Sequence, residues 1–169
     1  ETLTLTLVGF GAVNRALARL IARDEASLAE KGLVVEYHAV IARHGCWEAT
    51  GAQGMSAADI GALADAVAAG SSRLDGTTAP PADVAAKTTP SIEDIRSIIR
   101  RTPQGLACLV EAIDVDYTAG EPAATYLRDA LAQGAHAVSA NKGPVVHHRA
   151  SLLEAAASAG RRCFAAHSF

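Results

Sequence analysis

The segment Val8-Gly9-Phe10-Gly11-Ala12-Val13-Asn14-Arg15 carries the residue types that phosphate binding needs. Gly9 permits a tight turn, and Gly11 lets the backbone approach a pyrophosphate with no Cβ in the way. If a helix begins there, the free N–H groups of its first turn receive the negative charge. Gly9, Phe10, Gly11, Ala12, Val13 and Asn14 are therefore the candidate residues for holding a dinucleotide. Asn14 stands where the third glycine of the fingerprint usually sits, which is expected to loosen the motif where helix and strand pack closest. A bare Gly-x-Gly is also compatible with a merely structural turn. Its weight comes from lying at the first strand–helix junction of an alternating chain.

Charge decides which dinucleotide. A second strand ending in Asp or Glu would bind the ribose hydroxyls of NAD and repel a 2′-phosphate. Here the strand ends Ile41-Ala42-Arg43-His44-Gly45, without a carboxylate. Arg43 would fork a 2′-phosphate through charge-assisted hydrogen bonds; the plainer alternative is a solvated surface arginine. NADP is thus the preferred cofactor, with NAD as the other candidate. His44 would add to such a pocket or simply lie exposed.

These residues require a frame that puts strand ends together. Leu3 to Val8 reads as a strand, followed by a helix with Val13, Leu17, Leu20 and Ile21 on its inner face. Leu33 to Ala42 is a second strand, Arg43 to about Ser56 an irregular stretch with three glycines, and Ala57 to Ala69 a helix. Gly70 to Pro90, rich in Ser, Thr, Pro, Gly and Ala, reads as a surface excursion. Ser91, with Asp94 three residues on, caps a helix that turns Ile92, Ile95, Ile98 and Ile99 inward. Leu106 to Ile113 is a short buried strand, and Glu121 to Gln133 a helix with Pro122 in its first turn. His136 to Ala140 is a strand, His147 to Ala159 a helix, and Arg161 to Ala166 a last strand. About five strands and four or five helices alternate, which predicts an α/β, Rossmann-type doubly wound, mainly parallel sheet with helices on both faces.

Composition limits the rest. A chain of 169 residues suffices for one domain, which would bury about 70% of its unfolded surface. A net charge of −3 with scattered Lys and Arg argues against nucleic acid as a partner. No apolar run approaches the ~20 residues of a membrane span, and the N-terminal run lacks the features of a signal peptide. Cys46, Cys108 and Cys163 are too widely spaced for a metal cluster and fit a reducing compartment, so a cytoplasmic protein is expected. No metal is expected: His147 and His148 open a helix without an obvious third ligand. Asp114 and Asp116 read as a solvated loop pair, and Trp47 as packing beneath the irregular stretch. No Gly-x-Ser-x-Gly elbow or Cys–His pairing suggests a nucleophile.

One stretch is more specific. Gly120-Glu121-Pro122-Ala123, a helix, and then His136-Ala137-Val138-Ser139-Ala140-Asn141-Lys142-Gly143-Pro144 resembles the homoserine dehydrogenase family, and the Gly-Phe-Gly turn and the Arg-bearing end of the second strand fit the same family. The resemblance covers residues 3–16, 41–45 and 106–164. It implies an NAD(P)-dependent interconversion of L-homoserine and L-aspartate 4-semialdehyde, on the route to threonine and methionine. Residues 1–169 would be the cofactor-binding domain. A second domain, expected after residue 169, would supply the substrate carboxylates, another lysine, a monovalent-cation site and most of a homodimer interface. Lys142 by itself reads as a surface lysine. Within the resemblance it is the catalytic residue, at a strand's carboxyl end beside nicotinamide and the reacting oxygen, as donor or proton relay. Ser139 and Asn141 join the cofactor residues, with Asn141 orienting cofactor or substrate and Pro144 fixing the turn. Ile113 stands where the family commonly has a Thr near the nicotinamide, so its cofactor contacts would be backbone only. The ending Ala165-Ala166-His167-Ser168-Phe169 departs from the family's acidic crossover. The rival readings are a related oxidoreductase of another small amino-acid-like substrate, or a catalytically silent NADP-binding sensor.

Overall fold

The computed structural model describes residues 1–70, 74 and 80–165. The elements run β1 (Thr2–Val8), α1 (Ala12–Glu30), β2 (Val34–Ala42), β3 (Gly45–Ala49), β4 (Met55–Ser56), α2 (Ala57–Ala68), β5 (Val84–Thr88), α3 (Ile92–Arg100), β6 (Leu106–Glu111), α4 (Ala123–Ala132), β7 (His136–Ser139), α5 (Lys142–Ser158) and β8 (Cys163–Ala165). One sheet has the order β5-β3-β2-β1-β6-β7-β8, with β4 beside β2. The run β2-β1-β6-β7-β8 is parallel, and β3, β4 and β5 attach antiparallel. The expected doubly wound α/β architecture is therefore present. The chain steps from β1 outward to β2, then returns to the other side of β1 as β6. That reversal opens a crevice at the carboxyl ends of β1 and β6, where sheets of this type bind ligands.

The two faces of the sheet carry separate cores. On one, Leu5, Leu7, Val35 and Tyr37 meet Ala18 of α1 and Ile60, Leu63 and Ala64 of α2. On the other, Val8, Ile41, Leu109 and Ala137 meet Ile98 and Ile99 of α3, Leu127 and Leu131 of α4 and Leu152 of α5. Each large apolar side chain fully withdrawn from water contributes about 1.5–3 kcal/mol, so both layers of helices are firmly fixed. Along β2 the alternation breaks. Leu5 pairs with Tyr37 but Thr6 with Ala39, leaving His38 as a bulge. The bulge turns Ala39 and Ile41 toward the second core, so β2 reaches the crevice with Ile41 underneath it.

Several elements differ from the sequence-based expectation. The irregular stretch after Ala42 is a hairpin: β3 folds back on β2, with Cys46 opposite Ile41 and Trp47 opposite Val40. Part of the presumed surface excursion is strand β5, which pairs with β3; residues 71–73 and 75–79 of that stretch lie outside the described residues. Among the described residues the sheet thus has eight strands rather than about five. On α1, Val13 and Leu20 are exposed, and Leu17 and Ile21 are partly buried. The buried positions are Asn14 and Ala18, one turn apart on the face turned to the sheet. Ile92 is likewise exposed at the start of α3, although the Ser91–Asp94 capping box forms as expected. The largest shift is in α5, which begins at Lys142 rather than His147. Asn141 caps it by accepting from the Gly143 N–H at 2.9 Å, and Pro144 sits in its first turn, where the missing N–H costs little.

Candidate functional site

The turn after β1 is held from both sides. The Gly9 N–H donates to the Ile41 carbonyl of β2 at 2.8 Å, and the Ala112 N–H beyond β6 donates to the Val8 carbonyl at 2.8 Å. Gly9 has φ +89°, and a Cβ there would lie 2.4 Å from the Ala112 carbonyl oxygen. No other residue type fits that place without moving β6. At Gly11 the situation reverses. It is exposed, and a Cβ would meet nothing within 4 Å. Gly11 is also the N-cap of α1, and no side chain caps that helix. The first-turn N–H groups and the positive end of a 19-residue helix dipole therefore face an open space. This is the geometry that suits a pyrophosphate.

Asn14 does not loosen the turn, contrary to what its sequence position predicted. It is completely buried, and its Nδ2 donates to the carbonyls of Gly9 (2.7 Å), Val110 (3.2 Å) and Val8 (3.4 Å). A single amide thus joins the helix to β1, to the turn and to β6, leaving Oδ1 buried without a partner. An absent third glycine is replaced here by directional bonding.

A cavity of about 950 Å³ opens over this turn. Its walls include Gly9, Phe10 and Gly11, the β2–β3 turn from Ile41 to Gly45, and Ala112, Ile113 and Asp114 beyond β6. Arg43, just beyond the end of β2, lies at its rim and hydrogen-bonds Asp114 from the opposite wall. His44 lines the same wall. Ala12 and Val13 are exposed in the first helical turn, whereas Phe10 is buried against the α1–α2 core.

The other end of the crevice is built around a carboxylate. Glu111, the last residue of β6, is fully buried. It accepts from the Ser139 hydroxyl at 2.5 Å, the Ile113 N–H at 2.8 Å and the Asn141 side-chain amide at 3.3 Å. Ser139 in turn accepts from the Asn141 N–H at 3.0 Å. Burial pushes the Glu111 carboxyl above its ordinary range, against the lowering effect of these donors. Ser139 and Asn141, expected as cofactor residues, are thus both buried in this network, and neither lines the cavity. Ile113 does line it, with its N–H committed to Glu111 at 2.8 Å. Lys142 follows directly, exposed as the first residue of α5, with no ion-pair partner among the described residues.

The loop leading from β6 to α4 packs on that helix start. A Cβ at Gly143 would lie 2.6 Å from the Asp116 carbonyl oxygen, so only glycine allows the approach. His147 and His148, in the second turn of α5 rather than opening it, each place Nε2 on this loop, donating to the carbonyls of Tyr117 (2.8 Å) and Ala119 (2.7 Å). Asp116 accepts from the N–H groups of Thr118, Ala119 and Glu121, which hold its carboxyl below the usual range. These are loop-building roles. Among the described residues no group of His, Cys, Asp or Glu side chains could hold a metal ion, and no helix is long and apolar enough to cross a membrane.

Sequence reasoning missed Glu111 and read Asp114 only as a solvated loop residue. Glu111 was legible in principle, because a carboxylate ending the apolar run Leu106-Ala107-Cys108-Leu109-Val110 must find donors if buried. The contact of Asp114 with Arg43, 71 residues away, left no local signal.

The family description "Homoserine dehydrogenase, NAD binding domain" matches residues 9–166. The chain belongs to that family. The run Ala140-Asn141-Lys142-Gly143-Pro144, which carried the resemblance, is the Asn141-capped start of α5 described above. An NAD(+)-dependent homoserine dehydrogenase of Pseudomonas canavaninivorans is 34% identical over 157 residues, covering 88% of this chain and 38% of that protein. Among solved structures, a hyperthermophilic archaeal homoserine dehydrogenase in complex with NADPH matches 97% of the chain with a TM-score of 0.69 at 17% identity, over 43% of its own length. The homoserine dehydrogenase of Thermoplasma acidophilum matches 98% with a TM-score of 0.63 at 17% identity, again over 43% of its length. At such identities the solved structures speak for the fold. The chain spans less than half the length of these homoserine dehydrogenases.

Proposed function

We propose that this chain is the cofactor-holding domain of an enzyme that interconverts L-homoserine and L-aspartate 4-semialdehyde, with NADP preferred over NAD. The observation that carries the reading is the cavity over Gly9 and Gly11, open to the uncapped start of α1, at the reversal point of the sheet. Its residues fit a nicotinamide dinucleotide. The N–H groups of Ala12 and Val13 would receive the pyrophosphate, Arg43 the 2′-phosphate, and the apolar wall at Ile113 would lie against the nicotinamide. The bound cofactor supplies hydride transfer.

Lys142 is the proposed catalytic residue. From the start of α5 it would hold a proton at the substrate oxygen, donating as an alkoxide forms and accepting in the opposite direction. Ser139 and Asn141 serve the same end by fixing the strand end and helix cap from which Lys142 projects. A second domain after residue 169 would supply the groups that hold the substrate's charged ends, and a homodimer, cytoplasmic location and place in threonine and methionine synthesis accompany this reading.

The deciding experiment measures homoserine-dependent reduction of NADP⁺ and NAD⁺ by the full-length product of the native gene. Turnover favouring NADP⁺ is expected. Retained NADPH binding without turnover would overturn the catalytic reading and leave a cofactor-binding regulatory module.

A further inference from the structure

Arg43 and Asp114 come from opposite sides of β1. Arg43 follows β2, Asp114 follows β6, and β1 lies between those two strands. Their ion pair therefore passes over the carboxyl end of β1, above the glycine turn, with both partners lining the cavity. Asp114 has no competing side-chain partner among the described residues, unlike Asp116, whose oxygens are all taken by backbone N–H groups. Arg43 likewise has only Asp114 as an ion-pair partner among them.

We propose that Asp114 is a specificity-determining residue that occupies Arg43 and so holds down the chain's selectivity for a 2′-phosphorylated dinucleotide. The inference rests on the cofactor reading of the cavity given above. A 2′-phosphate reaching Arg43 must displace the Asp114 carboxylate and then tolerate a negative charge beside it. A dinucleotide with a free 2′-hydroxyl meets neither obstacle. Both side chains are exposed, so the pair is weak and the displacement feasible. Asp114 therefore lowers the preference rather than abolishing it.

The test uses this chain with NADPH and NADH as probes, following nicotinamide fluorescence. Asp114→Asn is expected to tighten NADPH about threefold to tenfold while leaving NADH within about twofold. In an Arg43→Ala background the same change should leave the NADPH-to-NADH ratio unaltered, since the residue to be released is gone. Added salt should shrink the gain, because an exposed charge is screened beyond about 8 Å at physiological ionic strength. An unchanged ratio in Asp114→Asn, or a gain that persists without Arg43, overturns this inference alone. Failure of the unsubstituted chain to bind either dinucleotide overturns the cavity assignment and the inference together.

Discussion

The crevice has two polar devices that look alike on paper and behave oppositely. Each joins the end of β6 to another strand end through a carboxylate, the rim pair reaching across β1 to β2 and the floor reaching the adjacent β7. At the rim, Asp114 meets Arg43 with 86% and 73% of the side chains exposed. At the floor, Glu111 meets Ser139 and Asn141 with accessibilities of 0%, 1% and 2%. Water and salt screen the rim pair to a worth of about 1 kcal/mol or less. The floor has no water to substitute for a lost partner, so each orphaned donor costs about 1–3 kcal/mol. A full formal ion pair is therefore the weaker device, and a carboxylate bonded only by neutral donors is the stronger. Burial, not formal charge, decides which part of the site is fixed and which part can rearrange around a ligand.

The sharpest way to exploit this difference is at Lys142, an exposed side chain mounted on the buried floor. Lys142→Ala in the full-length protein is expected to lower turnover about 10²- to 10⁴-fold, with NADPH affinity changed by less than about tenfold. Unchanged steady-state turnover would overturn the catalytic role proposed for it. Next, Glu111→Ala should cost about 3–5 kcal/mol in denaturant unfolding, because the Ser139 hydroxyl, the Asn141 amide and the Ile113 N–H all lose their acceptor. A loss under about 1 kcal/mol would show that the floor is as forgiving as the rim.

The pH dependence gives a smaller, signed test. Because burial raises the Glu111 carboxyl above its ordinary value of 4.5, the native state holds that proton more tightly than the unfolded chain. Its contribution is full below pH 4.5 and is lost as pH rises through the raised value. Asp94 and Asp116, held below the usual range, give the opposite slope, losing stability as pH falls. Subtracting the unfolding curve of Glu111→Gln from that of the unsubstituted chain isolates Glu111. The difference should decline with rising pH across the mildly acidic range, whereas a flat difference would contradict the burial argument. Smallest of all, Arg43→Ala should alter unfolding stability by no more than about 0.5 kcal/mol. A larger loss would mean that the rim is structural after all.

The parts legible in sequence were those written in local pattern. The first strand, read as Leu3 to Val8 and observed as Thr2–Val8, the glycine turn, the capped α3 and the β7 strand could each be read from a few consecutive residues. What escaped depends on contacts distant in sequence. β5 lies at the sheet edge, mostly exposed, so its Val84-Ala85-Ala86-Lys87-Thr88 carries no alternation. The start of α5 was hidden because Gly143 and Pro144 are turn residues by habit. Here the Asn141 cap and the close approach of Asp116 convert them into a first helical turn. The candidate site divides the same way. Gly9, Gly11 and Arg43 are singled out by type and position, while Ser139 and Asn141, proposed from the resemblance alone, show their buried hydrogen-bonding role only once Glu111 is beside them.

The Asn14 amide carries a consequence for how substitutions at this seam are tolerated. Where a bare glycine closes helix on strand, the joint is a matter of clearance, and any added atom opens it. Here the joint is a three-way anchor on the carbonyls of Val8, Gly9 and Val110. The seam therefore has a chemical requirement instead of a size limit. Aspartate, nearly identical in volume, would set a repelling oxygen against three carbonyls and spread the seam, while glycine, much smaller, would remove the anchor but no space. The isostere is the more damaging replacement.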